Sequence, residues 1–104
     1  MDWSDLRVYE LVKTLERLTP FETLTMLNNG NAPSKDEVYM IAPLKLNTPV
    51  INVLIYYIYL LNDCKLHQKL VDNISFHWHC LEIQTAKEAL IEADKQQRTP
   101  LKAI

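Results

Sequence analysis

Apolar side chains are densest from Pro49 to Leu61, where they surround a helical wheel instead of forming one stripe. A helix with this pattern is buried on most of its sides. The β-branched residues and tyrosines would also suit a buried strand, which periodicity alone does not exclude. Thirteen residues are, however, long for a strand and ordinary for a helix. Thr48 is the predicted N-cap, Pro49 the first helical residue, and Asn62 and Asp63 a polar end, so we predict a buried central helix.

Five further helices are predicted around this central helix. Their apolar residues recur at three- and four-residue steps, and their charged residues lie on the opposite face. Three of them begin at a capping box, a Ser or Thr followed three residues later by Glu. Gly30 is the predicted left-handed residue that ends the second helix. The predicted spans are residues 2–18, 20–27, 35–42, 66–81 and 86–98, with capping boxes at Thr19/Glu22, Ser34/Glu37 and Thr85/Glu88.

The fold class that these elements predict is all-α, in one compact domain covering residues 1–104. A chain of 104 residues can bury one core, and 48% hydrophobic with 23% charged residues is typical of a globular protein. A single glycine argues against a turn-rich β protein. The abrupt end in a Thr-Pro-Leu-Lys-Ala-Ile tail indicates a domain excised from a longer chain.

Charge and cysteine content narrow the class of function. No secretion signal is visible at the N-terminus, so Cys64 and Cys80 are expected to be reduced thiols in a cytoplasmic protein. The net charge of −2 is unfavourable for strong non-specific nucleic-acid binding, which normally requires a basic surplus.

Catalysis, metals and cofactors are not expected. His77 and His79 are two residues apart on a predicted helix and point about 160° apart, so they cannot share one ion. His77 with Cys80 would supply only half of a closed zinc site. Neither cysteine has a spacing that identifies a catalytic base, and no glycine-rich phosphate loop exists. Trp78 could be a core anchor or an exposed stacking platform, and its apolar register favours the core.

Several spaced groups of residues between positions 14 and 98 occur in a recognisable order. They are the Pro-Val-Ile-Asn-Val-Leu-Ile-Tyr-Tyr-Ile run at 49–58, the spacing of Leu70, Ile74 and Trp78, and Ile83-Gln84-Thr85 with Ala86 and Ala89. Upstream lie Thr-Pro-Phe-Glu at 19–22 and an Asn-Gly-Asn-Ala-Pro-Ser loop. This order resembles the DnaD/DnaB-like domain family of primosome proteins from low-GC Gram-positive bacteria and their phages. The DnaB meant is the initiation and membrane-attachment protein and not the replicative helicase. The upstream residues at 19–22 and the loop after them resemble the entry to the second such domain of that DnaB.

The resemblance implies a helical domain that binds DNA, single-stranded in preference to duplex, and assembles with itself and with primosome and helicase-loader proteins. Membrane association would come from other parts of the parent protein. Two positions depart from the family pattern: Leu70 stands where the family has tyrosine, and His79 to Glu82 stand where it often has basic residues. The candidate DNA contacts are Lys65, His67, Lys69, Leu70, Ile74, Trp78 and His79, with a second basic group at Lys87, Lys95, Arg98 and Lys102.

Two classes of function stay open from the sequence. One is a non-enzymatic module of replication initiation that binds DNA weakly and without sequence preference. The other is a protein-interaction or oligomerisation module with no DNA affinity, in which the basic groups are only solvated surface.

Overall fold

The computed structural model describes residues 6–62 and 65–98, and it confirms the predicted all-α fold of six helices. The predicted beginning of the first helix at residues 2–5 lies outside this part of the chain, as do Asp63 and Cys64. The radius of gyration, 13.0 Å, is that of a compact domain of this length. The helices are α1 (Leu6–Arg17), α2 (Pro20–Leu27), α3 (Lys35–Ile41), α4 (Thr48–Leu61), α5 (Gln68–Cys80) and α6 (Ala86–Arg98).

The prediction that α4 is the buried central helix is confirmed. It contacts α1, α2, α5 and α6. Its apolar side chains are covered on several faces because each neighbouring helix presents its apolar stripe to a different side of α4. The α4 residues with no exposed surface are Val50, Asn52, Val53, Leu54, Ile55 and Ile58.

The start of α4 differs from the sequence prediction by one residue. Asn47, and not Thr48, is the N-cap, and Thr48 is already helical. The Asn47 side chain makes no capping hydrogen bond. Its Nδ2 atom instead donates to the carbonyl oxygen and the Oε1 atom of Gln84, at 2.9 and 2.8 Å. This contact fixes the beginning of α4 against the segment that leads into α6.

A buried amide connects α1 to α4. Asn52 has no exposed surface, and its Nδ2 atom donates to the carbonyl oxygens of Leu15 (2.8 Å) and Leu18 (2.7 Å). The last carbonyls of a helix have no intrahelical partner. Asn52 therefore satisfies the C-terminal end of α1 from inside α4, while its own Oδ1 atom has no partner among the described residues.

Two of the three predicted capping boxes are confirmed and the third forms one of its two bonds. Thr19 with Glu22 and Thr85 with Glu88 make both reciprocal contacts. At Ser34 the hydroxyl accepts from the backbone N–H of Glu37 at 3.2 Å. The Glu37 carboxylate does not reach back, because it accepts a 2.6 Å hydrogen bond from the Tyr59 hydroxyl on α4.

Left-handed residues end α2 and α5. After α2, Asn29 (φ 56°) and Gly30 (φ 85°) are both left-handed, so Asn29 and not Gly30 takes the first position past the C-cap. After α5 the corresponding residue is Glu82 (φ 56°). The N–H groups of Glu82 and Ile83 donate to the carbonyls of His79 and Trp78, which is a Schellman motif with a glutamate in the place that usually favours glycine.

The fifth helix is shorter than its predicted span of 66–81. It begins at Gln68, with His67 as the N-cap, and ends at Cys80. Leu66 is buried although it lies outside the helix, which explains why its apolar character suggested an earlier start. Residues 65–67 therefore precede α5 without helical structure, and the backbone of His67 is extended.

Candidate nucleic-acid interface

Three of the predicted basic residues lie together at the start of α5. Lys65, His67 and Lys69 are all exposed. Lys65 is positioned by Asn62, which accepts from the Lys65 N–H at 3.1 Å and donates from Nδ2 to the Lys65 carbonyl at 3.2 Å. The His67 side chain does not cap α5, and the first turn of α5 contains no acidic residue. The positive end of the helix dipole therefore adds to the charge of these side chains.

The three apolar candidates of the family-like spacing do not lie on this surface. Leu70 and Ile74 are partly buried and pack against the core. Trp78 has no exposed surface, which confirms the prediction that it is a core anchor. Its indole consequently offers no face to a nucleic-acid base.

Trp78 is fully buried beside another aromatic ring. Its ring stacks on Tyr57 with a centroid distance of 6.2 Å and an interplanar angle of 16°. Among the described residues, its Nε1 atom has no hydrogen-bond acceptor. Burial raises the pKa of the Tyr57 hydroxyl, and the negative charge of Glu92 raises it further. This phenol therefore stays protonated at neutral pH. Trp78 and Tyr57 therefore hold α5 against α4 by ring packing.

The outer face of α5 carries an aromatic residue that the sequence reasoning missed. Phe76 is 70% exposed, and the candidate His79 is exposed on the same side of the helix. Since Ile74 and Trp78 face inward, a residue midway between them in sequence must point outward. The four-residue spacing that identified the buried row therefore also indicates Phe76 as a surface residue.

The second basic group is only partly described. Lys87 and Lys95 are exposed on α6. They are eight residues apart, which separates them by about 12 Å along the helix and about 80° around it, so they do not form one row. The side chain of Arg98 and all of Lys102 lie outside the described residues.

His77 takes part in a contact between helices. Its Nε2 atom lies 3.4 Å from Oε1 of Glu92, which links α5 to α6. Cys80 is exposed at the end of α5 as a free thiol. Across the described part of the chain, no group of three or more His, Cys, Asp or Glu side chains could hold a metal ion.

A separate apolar groove lies between α2 and α3. Its volume is about 220 Å³, and α4 contributes to its floor. Phe21, at the start of α2, is exposed at this groove. The groove has no ionisable lining residue, so it suits an apolar side chain of a protein partner and not a phosphate. Its lining residues are Pro20, Phe21, Leu24, Val38, Ile41, Ala42, Leu44 and Ile51.

Comparison with known proteins does not place the chain in a family. No family model matches it, and no solved structure matches it significantly. None of the helices in the described residues is both long and apolar enough to cross a membrane.

Proposed function

We propose that this chain is a non-enzymatic, DnaD-like module of bacterial replication initiation that binds single-stranded DNA weakly and takes part in protein assembly. The observation that carries the proposal is the cluster of exposed Lys65, His67 and Lys69 at the uncapped start of α5. Side chains of this kind contact phosphates, which position a protein on nucleic acid without reading its sequence. The family-like order of residues supplies the biological context of helicase loading.

The number of available cations limits the strength of this binding. Lys65 and Lys69, with His67 beside them, can contact two or three phosphates. On single strands, the logarithm of the affinity should then fall against the logarithm of the salt concentration with a slope of about −2. Binding would be measurable at low salt and weak at physiological salt.

A titration of a labelled single-stranded oligonucleotide at several salt concentrations tests this proposal. Replacing Lys65 and Lys69 together by alanine should weaken binding and bring the salt slope about 1.4 units closer to zero, because two phosphate contacts are lost. The matched control is Lys87→Ala with Lys95→Ala, which removes the same charge from α6. If the control pair abolishes binding and the first pair does not, the site lies on α6.

The groove between α2 and α3 favours a second candidate, a protein-interaction or oligomerisation module without DNA affinity. Its exposed apolar lining is suited to a partner's side chain and has no use in phosphate binding. Sedimentation of the protein in the titration buffer decides between the two candidates. Self-association without any DNA binding, even at low salt, would establish the second candidate.

A further inference from the structure

Phe76 and Trp78 lie two residues apart on α5 and have opposite environments. Trp78 has no exposed surface, whereas Phe76 is 70% exposed. Residues two positions apart on an α-helix point about 200° apart around its axis. Because the indole of Trp78 faces the core, the phenyl ring of Phe76 lies on the outer face. An aromatic ring that is mostly in water gains little from burial, so its contribution to the stability of the fold is small.

The surroundings of Phe76 are polar. We define the α5 outer face as Lys69, Asp72, Asn73, Phe76 and His79, all of which are exposed and lie within about 60° of Phe76 around the helix. Lys69 lies two turns before Phe76, at an angle of about 20° and a distance of about 10 Å along the axis. Cys80, also exposed, borders the face at its C-terminal end.

The charge on this face is predominantly basic towards its N-terminal end. Lys69 continues into the exposed Lys65 and His67, next to the positive end of the helix dipole. Asp72 is the only acidic residue of α5, and its Oδ1 atom accepts a 2.7 Å hydrogen bond from Nε2 of Gln68. Glu82 lies beyond the other end of the helix. A negatively charged ligand is therefore complementary to the half of the face that contains Lys69.

We propose that Phe76 stacks on an unpaired base of a single-stranded nucleic acid while Lys69 and Lys65 contact its phosphates. This inference rests on the proposed function and assigns the stacking role to a residue outside the family-like spacing. Single-strand binding sites combine an aromatic ring with a cationic track, and every base has a face on which the ring can stack. A duplex does not fit the site, since its bases are stacked on each other.

A protein partner is a poorer fit to the same face. Protein interfaces have a contiguous apolar centre, and Phe76 is the one large apolar residue on the α5 outer face. Its neighbours Lys69, Asn73 and His79 would each have to be desolvated against a protein surface. A nucleic-acid strand leaves such side chains hydrated or paired with phosphate and sugar oxygens.

The test compares variants of Phe76 in titrations with labelled oligo-dT and oligo-rU at low salt. Phe76→Leu should weaken binding by about fivefold to a hundredfold, which is the range for losing one stacked base. The salt slope should stay unchanged, because no phosphate contact is removed. Phe76→Trp should restore binding, since it keeps a stacking ring. Comparing the affinities for oligo-dT and oligo-rU shows whether the site binds DNA, RNA or both.

The matched control is Tyr39→Leu, which removes an aromatic ring of similar exposure, 71%, from α3; this ring does not line the groove. It should leave the affinity unchanged. Far-UV circular dichroism of each variant verifies that the helices are intact.

If Phe76→Leu binds both oligonucleotides as tightly as the original chain, the stacking role is refuted while the proposed function stands. If Phe76→Leu changes the sedimentation of the protein but not its affinity for the oligonucleotides, the stacking role is also refuted and Phe76 belongs to a protein interface. If the original chain binds neither strand, the proposed function itself fails.

Discussion

The buried amide of Asn52 gives the most direct test of how α1 is held to the core. We consider two replacements of similar size. Asn52→Leu removes both donors, and Asn52→Asp replaces the donating amide with a carboxylate that faces the carbonyl oxygens of Leu15 and Leu18. Both changes leave those carbonyls without the partner that lies at 2.8 and 2.7 Å in the structure. Helix α1 should therefore loosen at its C-terminal end.

The expected loss of stability follows from these two bonds. A buried carbonyl that loses its donor costs about 1–3 kcal/mol, and one of the two here is only partly buried. Asn52→Leu also removes the buried, unpaired Oδ1 atom, which stabilises this variant by about 1 kcal/mol. Asn52→Leu should thus lower the free energy of unfolding by about 2–3 kcal/mol. Asn52→Asp should lower it by about 4 kcal/mol at neutral pH, because a buried carboxylate also loses its hydration.

The two variants should differ in their pH dependence. Burial beside carbonyl oxygens raises the pKa of the new carboxyl group in the folded state above its unfolded value of about 3.9. The folded state then binds more protons than the unfolded state, so the penalty is smallest near this value and grows as the pH rises. Compared with the original chain, Asn52→Asp should be less destabilised at about pH 5 than at about pH 7.5. The difference for Asn52→Leu should not depend on pH.

Urea denaturation followed by far-UV circular dichroism measures both effects. With a typical slope of about 1–2 kcal/mol per molar urea, the midpoint of the Asn52→Asp variant should fall by about 2–4 M at neutral pH. The reasoning is wrong if both variants lose less than about 1 kcal/mol, the usual net value of one hydrogen bond. It is also wrong if the Asn52→Asp penalty is the same at both pH values.

Three further predictions concern α5 and its surroundings. Trp78→Ala should lower the free energy of unfolding by about 3–5 kcal/mol, measured by urea denaturation, because it removes a fully buried ring that stacks on Tyr57. Glu82→Gly should raise the free energy of unfolding by up to about 1 kcal/mol, because glycine accepts a φ of 56° without strain. The control Glu82→Gln keeps a side chain at this φ, so its free energy of unfolding should rise less. Asp72→Asn should strengthen binding to single-stranded DNA at low salt, because it removes the acid between Lys69 and Phe76; an unchanged affinity would show that the strand does not lie on this face.

Local sequence patterns predicted most of the helices because their causes are local. The capping pairs Thr19/Glu22 and Thr85/Glu88 act within one turn, and apolar periodicity reports directly on which face is buried. The exception at Ser34 has a tertiary cause. Glu37 is bound by Tyr59, which is 22 positions away in sequence, and no local rule anticipates that competition.

The same distinction explains what the sequence could not show about the core. Asn52 is a single amide in an apolar run, and its partner carbonyls at Leu15 and Leu18 lie 34–37 positions earlier. Asn47 precedes the predicted N-cap Thr48, and its side chain bonds Gln84, 37 positions later. Both roles depend on helix packing, which periodicity does not specify.

The candidate site was predicted in part. The charged residues Lys65 and Lys69 are exposed as expected, since charged side chains are rarely buried. Trp78 was the one aromatic residue among the candidate contacts, although its apolar register favoured the core, and the structure buries it. Helical geometry alone would have indicated Phe76, because the row through Ile74 and Trp78 faces the core and leaves Phe76 on the opposite side.

The shortness of α3 has a consequence for the groove beside it. Helices of seven residues are not stable in isolation, and Ile41 is the one buried residue that α3 contributes to the core. The Glu37–Tyr59 bond joins α3 to α4, and α3 also packs against α5. Because α3 buries far less apolar surface than α4, it should open at a lower free energy, and its amide hydrogens should exchange faster than those of α4. Each such opening moves the wall formed by Val38 and Ile41 while Leu24 and Ile51 stay in place. The groove would therefore widen and close on the timescale of local unfolding, and a ligand that fills it would slow amide exchange in α3.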